Sequence, residues 1–208
     1  MAINIDRNWI VERLSTSERS PERGDHDLNP DYRPDKPLKP AAVLVGLVER
    51  DEGVTLLLTR RTDHLEHHPG QVSFPGGHVD PGDVDAIATA LRETEEEVGI
   101  TAEHIDIVGR LDTYVTRTGF EVVPVVAMIR PTFDLTPDPH EVAEVFEVPL
   151  TFLLDPANHH RHEREFEGGK RYFYAMPYRD YFIWGATAGM IMDLYQTLVH
   201  TQPSEAPA

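Results

Sequence analysis

The amino-acid sequence predicts an α+β fold. Segments rich in β-branched and aromatic residues occur in pairs around turn residues, which is typical of antiparallel hairpins, and helical patterns interrupt these pairs. With 208 residues, of which 40% are hydrophobic, the chain is long enough to bury one core. We therefore expect a single domain with an arm before it and a tail after it.

Residues 1–40 predict a short helix followed by an extended arm. The helix is expected near residues 7–14, and residues 20–40 are rich in proline, charge and asparagine, which favours extended chain. Such an arm would lie against the domain or against a partner subunit, so its composition allows a homodimer. The domain itself is expected over residues 41–200, and residues 201–208 predict a disordered tail.

Turn and cap residues divide the domain into its elements. In chain order, we expect a hairpin of residues 41–48 and 54–59, a helix with Asp83 or Asp85 as its N-cap and Gly99 as its end, an antiparallel pair of residues 105–116 and 120–129, a short helix over residues 141–146, a hairpin of residues 164–174 around residues 168–169, and a final helix over residues 183–199.

Composition excludes several classes of protein. The chain has no cysteine, which excludes disulfides and thiolate metal sites. Its net charge of −17 argues against nonspecific nucleic-acid binding, because lysine and arginine supply most of that affinity. The sequence shows no apolar signal segment and no run of apolar residues long enough to span a membrane. We therefore expect a cytoplasmic protein with neither nucleic acid nor membrane as its partner.

The run RETEEEVGI, residues 92–100, concentrates carboxylates on a helix. Residues four apart share a helix face, so Glu93 and Glu97 lie side by side and Arg92 can brace Glu96. Two carboxylates this close repel each other unless a cation lies between them. Oxygen ligands of this kind favour Mg²⁺, with Mn²⁺ as the usual substitute. The alternative is a solvated acidic face, but the glycine-rich turn just upstream argues against it.

Together with the turn FPGGHVDPGD, residues 74–83, this run resembles the Nudix signature. Asp83 stands at the first glutamate of the general pattern, the interval from Asp83 to Arg92 is one residue longer, and Thr94 replaces an apolar residue. In this lengthening the signature resembles that of the Nudix hydrolases that cleave coenzyme A. The resemblance implies the Nudix α/β/α sandwich with a mixed sheet, and metal-dependent hydrolysis of a nucleoside diphosphate linkage.

The resemblance also implies which residues form the site. The residues expected to be catalytic are Arg92, Glu93, Glu96 and Glu97. The ligands expected for Mg²⁺ or Mn²⁺ are Glu93, Glu96, Glu97 and the carbonyl of Gly77. Candidates for the base that activates a water are Glu96, Glu141 and Glu144, although an exposed helix face explains the last two as well. Asp80 and Asp83 could bind a second metal through water, but turn and capping roles explain them equally well.

A second motif lies upstream, in LLTRRT over residues 57–62, followed by Gly70 and by the turn at residue 74. It is similar to the coenzyme A motif of that subgroup, with Thr62 in place of serine and Glu66 in place of arginine, a reversal of charge. The substrate-binding residues that it implies are Arg60, Arg61, Gly70, Phe74, Gly76 and Gly77. The segment IWGATA, residues 183–188, is similar to the same subgroup, although packing explains it more simply.

The expected partner is a small nucleotide diphosphate, most specifically coenzyme A or acyl-coenzyme A, cleaved to 4′-phosphopantetheine and adenosine 3′,5′-bisphosphate. The reversed charge at Glu66 leaves ADP-ribose, NADH and dinucleoside polyphosphates as alternative substrates. A catalytically silent, nucleotide-binding module is the alternative from another class, and the intact carboxylates argue against it. The histidines of residues 159–162 are interpreted as a solvated loop and not as a metal site.

Overall fold

A computed structural model describes residues 5–17, 22–31, 34, 37–65, 68–166 and 169–200 of the chain. The helices and strands are α1 (Arg7–Thr16), β1 (Arg23–Gly24), β2 (Lys39–Arg50), β3 (Gly53–Arg61), β4 (Val72–Ser73), β5 (Gly76–His78), α2 (Ala86–Val98), β6 (Ile105–Arg110), β7 (Tyr114–Val115), β8 (Phe120–Ile129), β9 (Val142–Pro149), α3 (Leu150–Leu153), β10 (His160–Phe166), β11 (Gly169–Tyr178), β12 (Tyr181–Trp184) and α4 (Gly185–Tyr195). A π-helical turn, Gln196–His200, continues α4. None of the helices described is long and apolar enough to cross a membrane.

A mixed sheet forms the centre of the fold. Strand β2 pairs in parallel with β8 along its length and antiparallel with β3 at its end. Strand β6 pairs antiparallel with β8, and β9 pairs antiparallel with β3. The predicted hairpin of residues 41–59 and the predicted antiparallel pair of residues 105–129 are confirmed, although the first partner of that pair is divided into β6 and β7.

Side chains along the strands alternate between the two faces of the sheet. One face packs against α2, through residues that include Ala42, Leu44, Leu57, Ala90 and Val98. The other face packs against α1 and α4, through residues that include Val45, Leu47, Leu58, Ile10, Leu14, Ile191 and Leu194. Helices therefore cover both faces, and the predicted α+β class with an α/β/α sandwich around a mixed sheet is confirmed.

The predicted helix over residues 141–146 is wrong. From Val142 onward this segment belongs to β9, where Phe146 lies opposite Leu58 of β3. Its glutamates favour a helix locally, but its valines and Phe146 suit a pleated surface, and pairing with β3 satisfies the backbone. The short helix α3 forms only after Pro149, at the end of the strand.

The C-terminal part also differs from the prediction. The predicted histidine loop belongs, from His160 onward, to β10, where it pairs with β11. The hairpin predicted over residues 164–174 is confirmed and is longer than expected. The final helix begins at Gly185 rather than at residue 183, because the residues before it form β12 and pair with β11.

The described part of the N-terminal arm lies on its own domain. The helix predicted near residues 7–14 is confirmed as α1. Strand β1 pairs in parallel with β7, and Asp25 accepts hydrogen bonds from the Tyr114 hydroxyl at 2.9 Å and from the Arg117 backbone at 2.7 Å. The division into arm and domain stays a prediction, as does the homodimer. The predicted tail, residues 201–208, lies outside the described residues.

Candidate active site

The turn between β4 and α2 brings the backbone close to the helix. Phe74, 2% exposed, is buried at the start of the turn. Gly76 has a φ of 150°, and a Cβ there would lie 2.4 Å from the carbonyl oxygen of Ala42. A Cβ on Gly77 would lie 2.6 Å from Oε1 of Glu93. Gly76 therefore requires glycine, and the lack of a side chain at Gly77 lets the Glu93 carboxylate lie against the turn.

Helix α2 has defined ends. Of the two predicted N-caps, Asp85 caps the helix, accepting a hydrogen bond from the Ala88 backbone at 2.8 Å. Gly99 ends the helix in the left-handed region with a φ of 78°, and its N–H donates to the Glu95 carbonyl at 3.0 Å. These ends fix the register in which the carboxylates leave the helix.

The carboxylates of Glu93, Glu96 and Glu97 on α2 have different surroundings. The buried side of the helix includes Ala90, Thr94, Glu97 and Val98. Thr94 is accommodated there because its hydroxyl donates to the Ala90 carbonyl at 2.6 Å. Glu97 is only 4% exposed, whereas the side chains of Glu93 and Glu96 are 17% and 60% exposed. Identical side chains on one helix therefore differ strongly in solvation.

Arg92 uses all five of its N–H donors. Its Nε and Nη2 donate to the two carboxylate oxygens of Asp83 at 3.1 and 3.0 Å. Its Nη1 donates to Glu93 and to Glu96, both at 2.9 Å, and Nη2 also donates to the carbonyl of His78 at 3.1 Å. The predicted contact of Arg92 with Glu96 is confirmed, and the guanidinium additionally joins the helix to the turn.

Asp83 is the anchor of this turn. Besides Arg92, it accepts hydrogen bonds from the Asp80 backbone and from the Thr89 hydroxyl, both at 2.9 Å. The Arg92 guanidinium, followed by the Asp80 N–H, holds the pKa of Asp83 well below its ordinary value of 3.8. With both oxygens engaged by protein donors, Asp83 serves as a turn anchor in this structure.

The Glu97 carboxylate is buried without full compensation. Burial raises the pKa of Glu97 to about 8; Glu141 and Glu93 act in the same direction, while Arg61 and a hydrogen bond with the Gly76 backbone oppose them. Its Oε2 has no hydrogen-bond partner among the residues that the structure describes. A buried carboxylate with an unsatisfied oxygen is costly, so this position favours an additional positive charge.

Two consecutive arginines at the end of β3, Arg60 and Arg61, lie in different surroundings. Successive side chains of a strand point to opposite faces. The charge of Arg61 lowers the pKa of Glu97, which lies on the side of the sheet that α2 covers. Arg60 instead has its Nε 3.5 Å from Oε2 of Glu144, and it faces a cleft on the other side of the sheet. The two predicted substrate-binding arginines are therefore separated by the strand that carries them.

Thr62 ties the segment before β9 to this end of β3. Its hydroxyl donates to the His140 carbonyl and its N–H to the Glu141 carbonyl, both at 2.9 Å. The contact requires only a hydroxyl, so threonine can replace serine here. The Asp138 N–H donates to the Glu97 carbonyl at 2.9 Å, which satisfies one of the carbonyls left open at the end of α2.

This arrangement separates the candidate bases. We call Glu93, Glu96 and Glu97 the acidic cluster. The charge of Glu141 raises the pKa of both Glu97 and Glu93, so it lies close enough to act on this cluster. Glu144 instead accepts a hydrogen bond from the Tyr181 hydroxyl at 2.6 Å, on the side of the cleft. The helix face proposed for these two glutamates is absent: Glu144 lies in β9, whereas Glu141 lies in the turn just before it, and they belong to different environments.

The remaining motif residues mainly stabilise turns and backbone carbonyls. Gly70 has a φ of 67°, and a Cβ there would lie 2.7 Å from Oδ1 of Asp63, so the turn requires glycine. The Thr187 hydroxyl donates to the Val72 carbonyl at 3.0 Å, which fits the packing interpretation of the C-terminal motif. Glu66, whose charge reversal bears on specificity, lies outside the described residues.

The structure divides the predicted site residues into two groups. Those around the acidic cluster are Arg61, Gly76, Gly77, Arg92, Glu93, Glu96 and Glu97. Arg60 and Gly70 line the cleft, and Phe74 is buried under the turn. Sequence reasoning missed the pairing of Asp83 with Arg92, which the acidic residue at the first signature position could have indicated. It also missed Tyr181, which no sequence pattern distinguishes.

Comparison with known proteins places this geometry in a family. A model of the NUDIX domain matches residues 37–167. The chain belongs to the Nudix family. An uncharacterized Nudix hydrolase, NudL, of Enterobacter sp. (strain 638) is 45% identical over 154 residues, which cover 74% of this chain and 80% of that protein. NudL of Yersinia pestis (strain Pestoides F) is 43% identical over 156 residues, covering 75% and 78%.

Among solved structures, a MutT/nudix family protein from Enterococcus faecalis has a TM-score of 0.49 at 18% identity, covering 85% of this chain and 67% of that chain. The family and the NudL relatives establish that the protein is a Nudix hydrolase, an enzyme that acts on pyrophosphate bonds.

Nudix hydrolases generally use divalent metal ions such as Mg²⁺ or Mn²⁺, and the donors of this Nudix protein fit such an ion. In the described part of the chain, no three or more acidic or histidine side chains are already gathered as a metal cluster. The buried Oε2 of Glu97, which has no hydrogen-bond partner among the described residues, nevertheless favours a cation. Glu93 lies beside it, and burial raises the pKa of Glu93 although Arg92 opposes this rise. Carboxylate oxygens are the donors that Mg²⁺ prefers.

The anchoring role of Asp83 predicts that Asp83→Ala lowers the thermal midpoint by several degrees and Asp80→Ala hardly changes it. Asp83 accepts two bonds from Arg92, whereas Asp80, with a 64% exposed side chain, lies 3.9 Å from the same guanidinium. Because the pKa of Asp83 is depressed, its contribution is present at pH 7 and is lost only as the pH falls below about 3.8. Equal melting of the two variants in thermal unfolding would contradict the assignment.

The raised pKa of Glu97 predicts an unusual pH dependence without metal. Since the folded state holds this proton up to about pH 8 and the unfolded state releases it near 4.5, ionisation removes stability as the pH rises between these values. Glu97→Gln should therefore be more stable than the parent at pH 8 by about 1–3 kcal/mol, with the difference shrinking towards pH 5.

Urea unfolding in the presence of a chelator measures this difference. Glu95→Gln is the matched control, because Glu95 lies on the same helix and its side chain is exposed. A Glu97→Gln variant that is less stable than the parent at both pH values would show that the buried Glu97 carboxylate does not lower the free energy of unfolding.

Proposed function

We propose that this Nudix hydrolase cleaves the diphosphate of coenzyme A or acyl-coenzyme A, releasing 4′-phosphopantetheine and adenosine 3′,5′-bisphosphate. The hydrolytic part of the proposal rests above all on one observation, the buried Glu97 carboxylate beside Glu93. One of its oxygens has no hydrogen-bond partner among the residues that the structure describes. The coenzyme A part rests on the motif of residues 57–77, whose arginines and glycines border both the acidic cluster and the cleft.

The proposed metal ligands are the carboxylates of Glu93, Glu96 and Glu97 and the carbonyl of Gly77. When bound there, Mg²⁺ or Mn²⁺ would neutralise the phosphoryl oxygens and lower the pKa of a water. The glycine-rich turn keeps side chains away from this position, since a Cβ on Gly77 would collide with Glu93. The acidic chain needs such a positive centre, because its net charge of −17 repels a diphosphate.

Positioning in this proposal is the work of Arg92. It holds Glu93 and Glu96 by hydrogen bonds of 2.9 Å and attaches them to Asp83, so neither carboxylate has to be ordered when substrate arrives. Arg61, whose charge lowers the pKa of Glu97, would contact the diphosphate from the β3 side. Catalysis would therefore depend on Arg92 and on Glu93, Glu96 and Glu97 as a unit.

Glu141 is the base that the geometry favours. It lies close enough to act on Glu93 and Glu97, and Thr62 holds its backbone in place through a bond of 2.9 Å. Its carboxylate would accept the proton from the attacking water. Glu96 remains the alternative base on the helix, but its Oε2 is already engaged by Arg92. Glu144 is engaged by Tyr181 and is not favoured.

A product analysis tests the substrate. With Mg²⁺ and then Mn²⁺, we expect coenzyme A and acetyl-coenzyme A to be cleaved at least about tenfold more efficiently than ADP-ribose, NADH or diadenosine polyphosphates, a difference of about 1.4 kcal/mol. Chromatography should detect adenosine 3′,5′-bisphosphate. Glu97→Gln is the inactive control. Preference for another compound would retain the hydrolase and reject coenzyme A, while no turnover would favour a silent nucleotide-binding module.

The choice of base predicts different effects for two glutamates of neighbouring positions. Glu141→Gln should lower kcat by about 10²-fold or more, because a positioned base typically contributes ~10²–10⁴-fold, with little change in KM. Glu144→Gln, the matched control, should leave kcat within a few-fold. Steady-state kinetics across pH measure both, and the acidic limb of the profile should change only in the Glu141 variant. A larger loss in Glu144→Gln than in Glu141→Gln would reverse the assignment.

A further inference from the structure

A cleft of about 470 Å³ opens on the side of the sheet away from α2. One wall is the turn into β4, residues 69–72, and the other wall is formed by residues 180–182 and Trp184. Arg60 lies between these walls. A volume of this size falls in the range of small-molecule sites.

The second wall of the cleft presents aromatic rings that are held in place by their neighbours. The Tyr181 ring stacks on Phe146, with centroids 3.6 Å apart and planes 2° apart, and its hydroxyl bonds to Glu144. The Trp184 ring packs edge-on against Phe173 at 5.4 Å. Phe182 is 44% exposed, a large apolar surface left in contact with solvent. Fixed aromatic surfaces of this kind favour a flat ring as their ligand.

Charged groups of opposite sign also line the cleft. The contact of Arg60 with Glu144 is long, at 3.5 Å, and the side chains are 38% and 43% exposed, so it holds the guanidinium only weakly. A phosphate could therefore compete for Arg60. Asp180 lines the same cleft and offers acceptor oxygens to an amino group. A purine with an attached phosphate combines the three features that these residues recognise.

The cleft and the acidic cluster lie at the same end of β3. Arg61 acts on Glu97, and the adjacent Arg60 faces the cleft. Val72 lines the cleft, and a few residues later the chain reaches Gly77, which contacts Glu93. A ligand that passes around this strand end can therefore place a diphosphate at the carboxylates and a second group in the cleft.

We infer that the cleft binds the purine nucleotide half of the substrate, with the ring against Phe182 and Trp184 and a phosphate on Arg60. The inference rests on the proposed function, because coenzyme A carries a phosphate on its adenosine. The other half of coenzyme A ends in a thiol and has no flat ring, and its single phosphate belongs to the diphosphate. It therefore matches the aromatic wall and the arginine less well.

Tryptophan fluorescence tests this inference directly. The chain has two tryptophans, so Trp9→Phe leaves Trp184 as the reporter within the cleft. In a buffer with Mg²⁺, adenosine 3′,5′-bisphosphate should give a saturable change in emission, and 4′-phosphopantetheine should give none. Adenosine 5′-monophosphate, which lacks the 3′-phosphate, should bind about tenfold more weakly. Neither product contains a diphosphate, so no hydrolysis disturbs the titration.

Two variants of the reporter protein test the contacts. Arg60→Ala and Phe182→Ala should each weaken the binding of adenosine 3′,5′-bisphosphate by about five- to tenfold. Arg130→Ala, a control at an exposed arginine, should leave this binding unchanged. Thermal unfolding confirms that each variant is folded. Emission that responds to 4′-phosphopantetheine instead, or binding that neither cleft variant weakens, would overturn the inference.

Hydrolysis of coenzyme A by the same preparation separates this inference from the proposed function. Hydrolysis without any Trp184 response to the bisphosphate would reject the cleft and keep the enzyme. An Arg60-dependent response without hydrolysis of coenzyme A would keep the cleft as a nucleotide site and reject the proposed substrate.

Discussion

The buried carboxylate of Glu97 constrains the arrangement around α2, because the face of this helix that packs on the sheet includes position 97. A carboxylate in that position loses most of its hydration, and its pKa rises to about 8 through burial. The Gly76 backbone and the Arg61 charge recover part of the loss. Within the described ranges of the chain one oxygen has no hydrogen-bond partner, so the packing of the helix and the need for a cation arise from the same residue.

Arg92 makes the other carboxylates depend on the turn. Because its five donors reach Asp83, Glu93, Glu96 and the His78 carbonyl, the helix and the loop before it become one hydrogen-bonded unit. The side-chain entropy of these glutamates is therefore lost on folding rather than on binding. The pair of Asp83 and Arg92 also gives a physical reason for an acidic residue at the first position of the signature.

The end of β3 distributes two functions over two faces of one sheet. Arg61 contributes to the acidic cluster, and Arg60 contributes to the aromatic cleft. Thr62, the next residue, holds the segment of Glu141 by two bonds of 2.9 Å. Three consecutive residues thus connect the acidic cluster, the cleft and the segment of Glu141.

The sequence by itself determined the local features of this protein. Hairpin turns, the caps at Asp85 and Gly99, and the spacing of Glu93 and Glu97 follow from short-range geometry, so the fold class and most of the acidic site could be predicted. Only the tertiary structure decided which carboxylate is buried, because that depends on the face α2 turns to the sheet. It also turned residues 142–149 into a strand, since pairing with β3 outweighed the helical preference of glutamate, and it thereby placed Glu141 near the acidic cluster and Glu144 beside Tyr181. Such contacts join segments that are far apart in the chain, and local sequence patterns do not predict them because those patterns depend only on neighbouring residues.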